Sequence, residues 1–216
     1  MECVPRHHCL IYEGSASRHL PVLAAAICET LKQRYRCLYL NSPEMVGEMH
    51  ACLETKGLDV LAEIRRGALI LSSGLDHLNN GLFDMDAMLR ALEKTLQQAL
   101  ADGYKGLWAS GDMTWELGPA KDFSQLLDYE QRLEQFFQKN PAIIGVCQYH
   151  AATMPRDAMR QALLAHPSVF INESMALLNP HYLQPQSLAS QAENGLGADA
   201  ELDSSLDRLL QLEFTI

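Results

Sequence analysis

Asp112, Glu116 and His150 are the residues whose types suit proton transfer. Two carboxyl groups lie one helical turn apart, and an imidazole titrates near neutrality. A hydrogen-bonding pocket wall is the simpler account of Asp112. No serine sits in a G-x-S-x-G elbow, so the nucleophile signature of an α/β-hydrolase is missing. Cys3, His7, His8 and Cys9 form a soft-ligand cluster to which Cys147 and His150 could add donors. Tetrahedral zinc needs about four convergent ligands. His8 and Cys9 are expected to enter a strand and point to opposite faces, and buried cysteine usually acts as a small hydrophobe. No metal centre and no cofactor are expected. The turn Tyr12-Glu13-Gly14-Ser15-Ala16-Ser17-Arg18-His19 occupies the place where nucleotide folds carry a phosphate loop. It has neither the lysine nor the second glycine of G-x-x-x-x-G-K-[ST]. Ser15, Ser17 and Arg18 are candidate anion-binding residues at a helix N-terminus, with ordinary capping as the simpler role.

Elements that would position these residues follow from periodicity. Continuous apolar runs at 9–12, 37–40, 68–71, 106–109, 143–147 and 169–171 suit strands covered on both faces, as in a parallel sheet. Helix-period segments lie between them at 17–34, 43–56, 84–101, 124–139 and 155–165. Ser17 is the expected cap of the first, Pro43 suits the first turn of the second, and Gly57 and Gly103 suit the ends of the second and third. Strand followed by helix, repeatedly, predicts an α/β fold: a mostly parallel open sheet with helices on both faces. Ligands of such sheets bind beyond the carboxyl ends of the strands. Mostly polar residues cluster there, with aromatics nearby: Glu13, Asn41, Ser72, Ser110, Asp112, Met113, Gln148, Tyr149 and His150.

With 216 residues the chain is long enough for a substantial core. A net charge of −10 argues against nucleic acid and anionic membranes as partners. The stretch 184–216 carries Glu193, Asp199, Glu201, Asp203, Asp207 and Glu213 against Arg208 alone, so about half of the net charge lies there. The predicted organisation is a body over 1–183 and an appendage over 184–216, a polar linker ending in a short amphipathic helix marked by Leu202, Leu206, Leu209 and Leu210. The N-terminus shows no secretory pattern, the longest apolar run is far below the ~20 residues that span a bilayer, and the cysteines contain no C-x-x-C pair. A cytoplasmic protein with reduced thiols is expected.

Several of these segments together resemble the MEDS sensory domain of methanogen, methylotroph and dichloromethane-regulator proteins. The similar motifs are His8-x-x-x-Tyr12, Gly81-Leu82-Phe83-Asp84, Gly106 through Trp115, Tyr129-Glu130, Cys147-Gln148-Tyr149, His166-Pro167 and Asn179-Pro180-His181-Tyr182. The family more often has glutamate where this chain has Asp112, an arginine near Trp108 and an aspartate near His150. The resemblance implies a RecA/KaiC-like core without phosphate-loop chemistry. It also implies a non-enzymatic sensor of small organic molecules in prokaryotic signalling, with simple hydrocarbon derivatives as proposed ligands. On that basis Asp112 is expected to hydrogen-bond the ligand, and Met113 to lie beside it. Trp115 and Tyr149 would pack against the ligand, Gln148 and His150 would add polar contacts, and His8 and Tyr12 would stand at the same rim. A signalling protein, a second copy of this chain included, is the expected partner. A degenerate nucleotide binder using Ser15, Ser17 and Arg18 is the alternative.

Overall fold

The computed structural model describes residues 6–172, 175–184, 187 and 200–211. The central strands are β1 (His7–Tyr12), β2 (Arg36–Leu40), β3 (Leu69–Ser72), β6 (Leu107–Asp112), β7 (Ile143–His150) and β8 (Ser168–Asn172). An edge strand, β9 (Met175–Leu178), completes one sheet in the order β3-β2-β6-β7-β1-β8-β9. All neighbours are parallel except β8 and β9. The near-continuous burial of β1, β6 and β7 explains their unbroken apolar runs, because both faces are covered by helices.

On one face lie α1 (Leu20–Lys32), α2 (Pro43–Thr55) and α3 (Val60–Arg65), which pack on Leu10, Tyr39, Trp108 and Val146. The other face carries α4 (Met85–Ala101), α6 (Leu126–Lys139), α7 (Arg156–Ala165) and α8 (Ala200–Leu210), packed on Cys9, Leu38, Ala109 and Tyr149. Helix starts follow capping chemistry. Ser42, Asp59 and Asp84 accept from the amides of Met45 (3.3 Å), Ala62 (2.8 Å) and Ala87 (2.8 Å). Gly57 and Gly103 follow α2 and α4 with positive φ, as expected at helix ends.

The structure corrects several expectations. α1 begins at Leu20, and His19 rather than Ser17 precedes it. A 3-10 turn occupies 16–19, and Pro21 lies where a helix tolerates a residue with no amide donor. Two short strands, β4 (Leu78–Asn79) and β5 (Leu82–Phe83), form a hairpin closed by Asn80-Gly81, both with positive φ as a type I′ turn requires. α5 (Met113–Glu116) is a single turn after β6.

The C-terminal helix packs against α7 and β1. Leu202 and Leu206 are buried in the same core as the sheet. Arg160 donates to Asp203, and Arg156 to Asp203 and Asp207, so these two acids of the helix are paired within the chain. Most of the predicted linker, residues 185–186 and 188–199, lies outside the described residues, as does Cys3. Among the described residues no helix is long and apolar enough to cross a membrane.

Candidate functional site

A cavity of about 580 Å³ opens at the carboxyl ends of the central strands. Four strand ends meet there: Tyr12 closes β1, Asn41 follows β2, Asp112 closes β6 and His150 closes β7. The position follows from topology, since β1 and β2 are sequential but separated in the sheet by β6 and β7, which leaves a crevice between crossovers running to opposite faces. Trp115, Thr114, Gly118 and Lys121 close one side, and Ser42, Glu44, Met45 and Glu48 of the α2 start close the other.

Asp112 holds the site's geometry. Its Oδ1 accepts from the Trp115 amide at 2.8 Å, capping α5 and setting the direction in which Trp115 leaves the strand. Burial raises its carboxyl above the ordinary range, opposed by the Trp115 amide and by His150. Tyr12 lies flat against His150, with ring centroids 4.8 Å apart and planes within 5°, and it packs on His19 at 3.9 Å. Burial, with the Asp112 charge behind it, raises the Tyr12 hydroxyl and keeps it a neutral donor. His150 Nε2 donates to the Gly14 carbonyl at 2.8 Å, fixing the first loop against β7. The wall is acidic, with Glu44, Glu48 and Asp112 set against Lys121.

Of the sequence-predicted ligand residues, Tyr12, Asp112, Trp115 and His150 face this cavity together, and Ser15 of the predicted anion site joins them. The others turn elsewhere, because β6 and β7 run further than their apolar runs suggested. Residues 148–150 lie within β7 and alternate in direction. Tyr149 therefore faces α6, where its hydroxyl donates to Glu130. Gln148 is sealed on the opposite face, where its Oε1 accepts from His19 (2.8 Å) and its Nε2 donates to Ser110 (2.9 Å). Met113 packs in the core beside Tyr129. The expectation that His8 stands at the rim is corrected: it lies near the start of β1, about 13 Å along the strand from Tyr12. There it contacts Ser168 Oγ at 2.6 Å. Arg18 is exposed and does not line the cavity.

Glu116 does not line the cavity with Asp112 and His150. Glu116 turns under the sheet end, where Tyr129 donates to its Oε2 at 2.8 Å and burial raises its carboxyl to about 8. Gly111 makes room for it, since a Cβ there would lie 1.7 Å from Glu116 Oε1. Sequence reasoning missed His77, which donates from Nε2 to the Glu116 carbonyl at 3.0 Å and packs on Trp115. The hairpin signal Asn80-Gly81 three residues later could have located it.

Residues suited to a metal ion lie elsewhere, under β1 and β7. His7, Glu130, Cys147 and His166 bring ligand atoms within 4.8 Å of one another. Two of them belong to the predicted soft-ligand cluster, whereas Cys9 donates to the Ser168 carbonyl and His8 and His150 are engaged as described.

A family model described as MEDS, the MEthanogen/methylotroph, DcmR sensory domain, matches residues 6–167. No curated protein sequence matches the chain. Among solved structures, an uncharacterized protein of Pyrococcus horikoshii in complex with an unknown peptide aligns with TM-score 0.54 and 13% identity, over 81% of this chain and 82% of that one. A KaiC-like protein of Pyrococcus horikoshii OT3 aligns with TM-score 0.50 and 10% identity, over 76% of this chain and 70% of that one. These likenesses establish a KaiC-like α/β fold.

Proposed function

Because the chain belongs to the MEDS sensory-domain family, we propose that it is a cytoplasmic, non-enzymatic sensor of a small organic molecule in prokaryotic signal transduction or transcription regulation. The observation that carries this reading is the cavity at the strand ends, where aromatic faces (Tyr12, Trp115) converge with a few polar groups (Asp112, His150, Asn41). Asp112 accepts a hydrogen bond from the ligand, Trp115 supplies apolar area, and the stacked Tyr12–His150 pair forms the floor. Simple hydrocarbon derivatives bearing a hydroxyl or amino group match this chemistry. Phosphates match it poorly, since Glu44, Glu48 and Asp112 repel anions and the first loop has no P-loop lysine.

Transmission to a signalling partner has a physical route. Trp115 and Glu116 share one helical turn, and Glu116 is bonded to Tyr129 of α6. A ligand that shifts Trp115 strains that hydrogen bond and biases the seating of α6.

The test is a thermal-shift and calorimetric screen of short alcohols, aldehydes, amines and organic acids against wild type and Asp112→Asn, a variant that keeps a capping oxygen. A ligand that stabilises the wild type and binds Asp112→Asn at least about tenfold more weakly supports the assignment. If every ligand found binds the two proteins equally, the cavity is not the sensing site.

A further inference from the structure

The side of the sheet opposite α1 and α2 carries a second site, independent of the ligand cavity. His7 opens β1, Cys147 lies on β7, Glu130 on α6 and His166 at the end of α7. All four residues are at least nine-tenths buried, with exposures of 1%, 5%, 0% and 0% in that order. Their ligand atoms face one another. His7 Nε2 lies 3.3 Å from Cys147 Sγ and 3.4 Å from Glu130 Oε2, and His166 Nε2 lies 3.4 Å from the same carboxylate oxygen.

The outer hydrogen bonds decide what these atoms present. His7 Nδ1 donates to Glu134 Oε2 at 3.1 Å, and His166 Nδ1 donates to the Ala162 carbonyl at 2.7 Å. With Nδ1 of each ring engaged outward, both Nε2 atoms face inward and can coordinate a cation that displaces any proton they carry. Tyr149 donates to Glu130 Oε1, leaving Oε2 aimed at the same point. The Cys147 thiol has one proton to offer, and His7 Nε2 is its partner. Glu130 Oε2 and His166 Nε2 are left without any hydrogen-bond partner. Two buried acceptors converging on one point form an arrangement that a cation at their centre relieves.

We propose that His7, Glu130, Cys147 and His166 bind a zinc ion. Two imidazoles, a thiolate and a carboxylate form a zinc donor set, and the thiolate and carboxylate charges cancel that of the ion in a buried site. Zinc bonds of about 2.0–2.3 Å set ligand-to-ligand edges of roughly 3.3–3.7 Å. Three pairs already match, and the widest separation, 4.8 Å, closes by about 1 Å. Glu134, the Ala162 carbonyl and Tyr149 serve as the outer shell that orients metal ligands. Four protein ligands leave no open position, so the ion is structural: it staples α6 and α7 to β1 and β7. Gly145 contributes space, since a Cβ there would lie 2.2 Å from the Phe137 ring, which stacks on His7 at 4.7 Å.

The full chain, grown in zinc-supplemented medium, tests this by elemental analysis. About one equivalent of zinc is expected. Replacement by Co(II) is expected to give intense tetrahedral absorption and a thiolate-to-metal charge-transfer band. That band disappears in Cys147→Ser and persists in Cys9→Ser, the neighbouring buried cysteine. Glu134→Gln retains the stoichiometry but weakens affinity by about 10–100-fold in a chelator competition. Should the cysteine variants fail to fold, the wild-type Co(II) spectrum alone reports thiolate ligation. Zinc below about one-tenth of an equivalent, both as purified and after refolding with zinc chloride, overturns the proposal in favour of a proton-shared cluster. So does a charge-transfer band lost in Cys9→Ser and kept in Cys147→Ser.

Discussion

At the carboxyl ends of the strands, Asp112, His150 and Tyr12 line a cavity of about 580 Å³. Near the opposite end of the same strands, His7, Glu130, Cys147 and His166 face one another within 4.8 Å. The residue types are much alike, and the difference between the regions is solvent. At the cavity, polar groups spend part of their hydrogen-bonding capacity on loops and caps and turn the rest toward open space, where a ligand can replace water. In the cluster the polar atoms are buried away from the surface, and Glu130 Oε2 and His166 Nε2 find no hydrogen-bond partner among the protein groups around them. Openness makes the first region suited to exchange, and closure makes the second suited to holding the fold.

The sharpest way to break this contrast is Glu130→Ala. Removing a buried carboxylate between two imidazoles is expected to cost about 3–5 kcal/mol, read from urea unfolding. If it costs no more than Asp112→Asn does, the cluster does not hold α6 and α7 to the sheet.

Glu116 lies between the two regions and distinguishes them by pH. Burial raises its carboxyl from 4.5 to about 8, so the folded state favours the protonated form. The unfolded chain ionises it near 4.5, and this residue's stabilising contribution, complete below that pH, is lost as pH rises through about 8. In Glu116→Gln that dependence is expected to vanish. The variant should gain on the order of a few kcal/mol relative to wild type between pH 5 and pH 9 in urea titrations. Parallel pH profiles would show instead that Glu116 is ionised in the fold.

The smallest expected effect belongs to the cavity rim. Lys121→Gln should change stability by less than ~0.5 kcal/mol. By removing the cation among Glu44, Glu48 and Asp112 it should tighten binding of an amine ligand by roughly two- to fivefold in calorimetry. Weaker amine binding would place the ligand's charge away from the acidic wall.

Legibility in the sequence followed the range of the interactions. Caps and turns are local, so Gly57, Gly103 and Pro43 were readable, as was the strand–helix alternation. Where a strand ends is a tertiary matter. The apolar run of β7 stops at Cys147, but pairing with β1 and β6 carries the strand to His150. That extension, through side-chain alternation, takes Tyr149 and Gln148 out of the cavity. Glu130 did leave a signal. It sits on the helical stripe of Leu126, Leu133 and Phe137, where an acid contradicts the apolar pattern and so marks a buried polar partner. No local rule names that partner, since His7 lies more than a hundred residues away.

Composition, periodicity and capping chemistry by themselves determined the α/β class and the six central strands, because each depends on residues close in the chain. Tertiary structure alone decided three things: which strand-end residues face the cavity, that the acidic C-terminal helix docks through Leu202 and Leu206 onto the core, and that four distant side chains share one sealed point. Sheet order and register set all three. A side chain's neighbours across a parallel sheet are fixed by crossovers tens of residues long, and nothing in the local sequence encodes them.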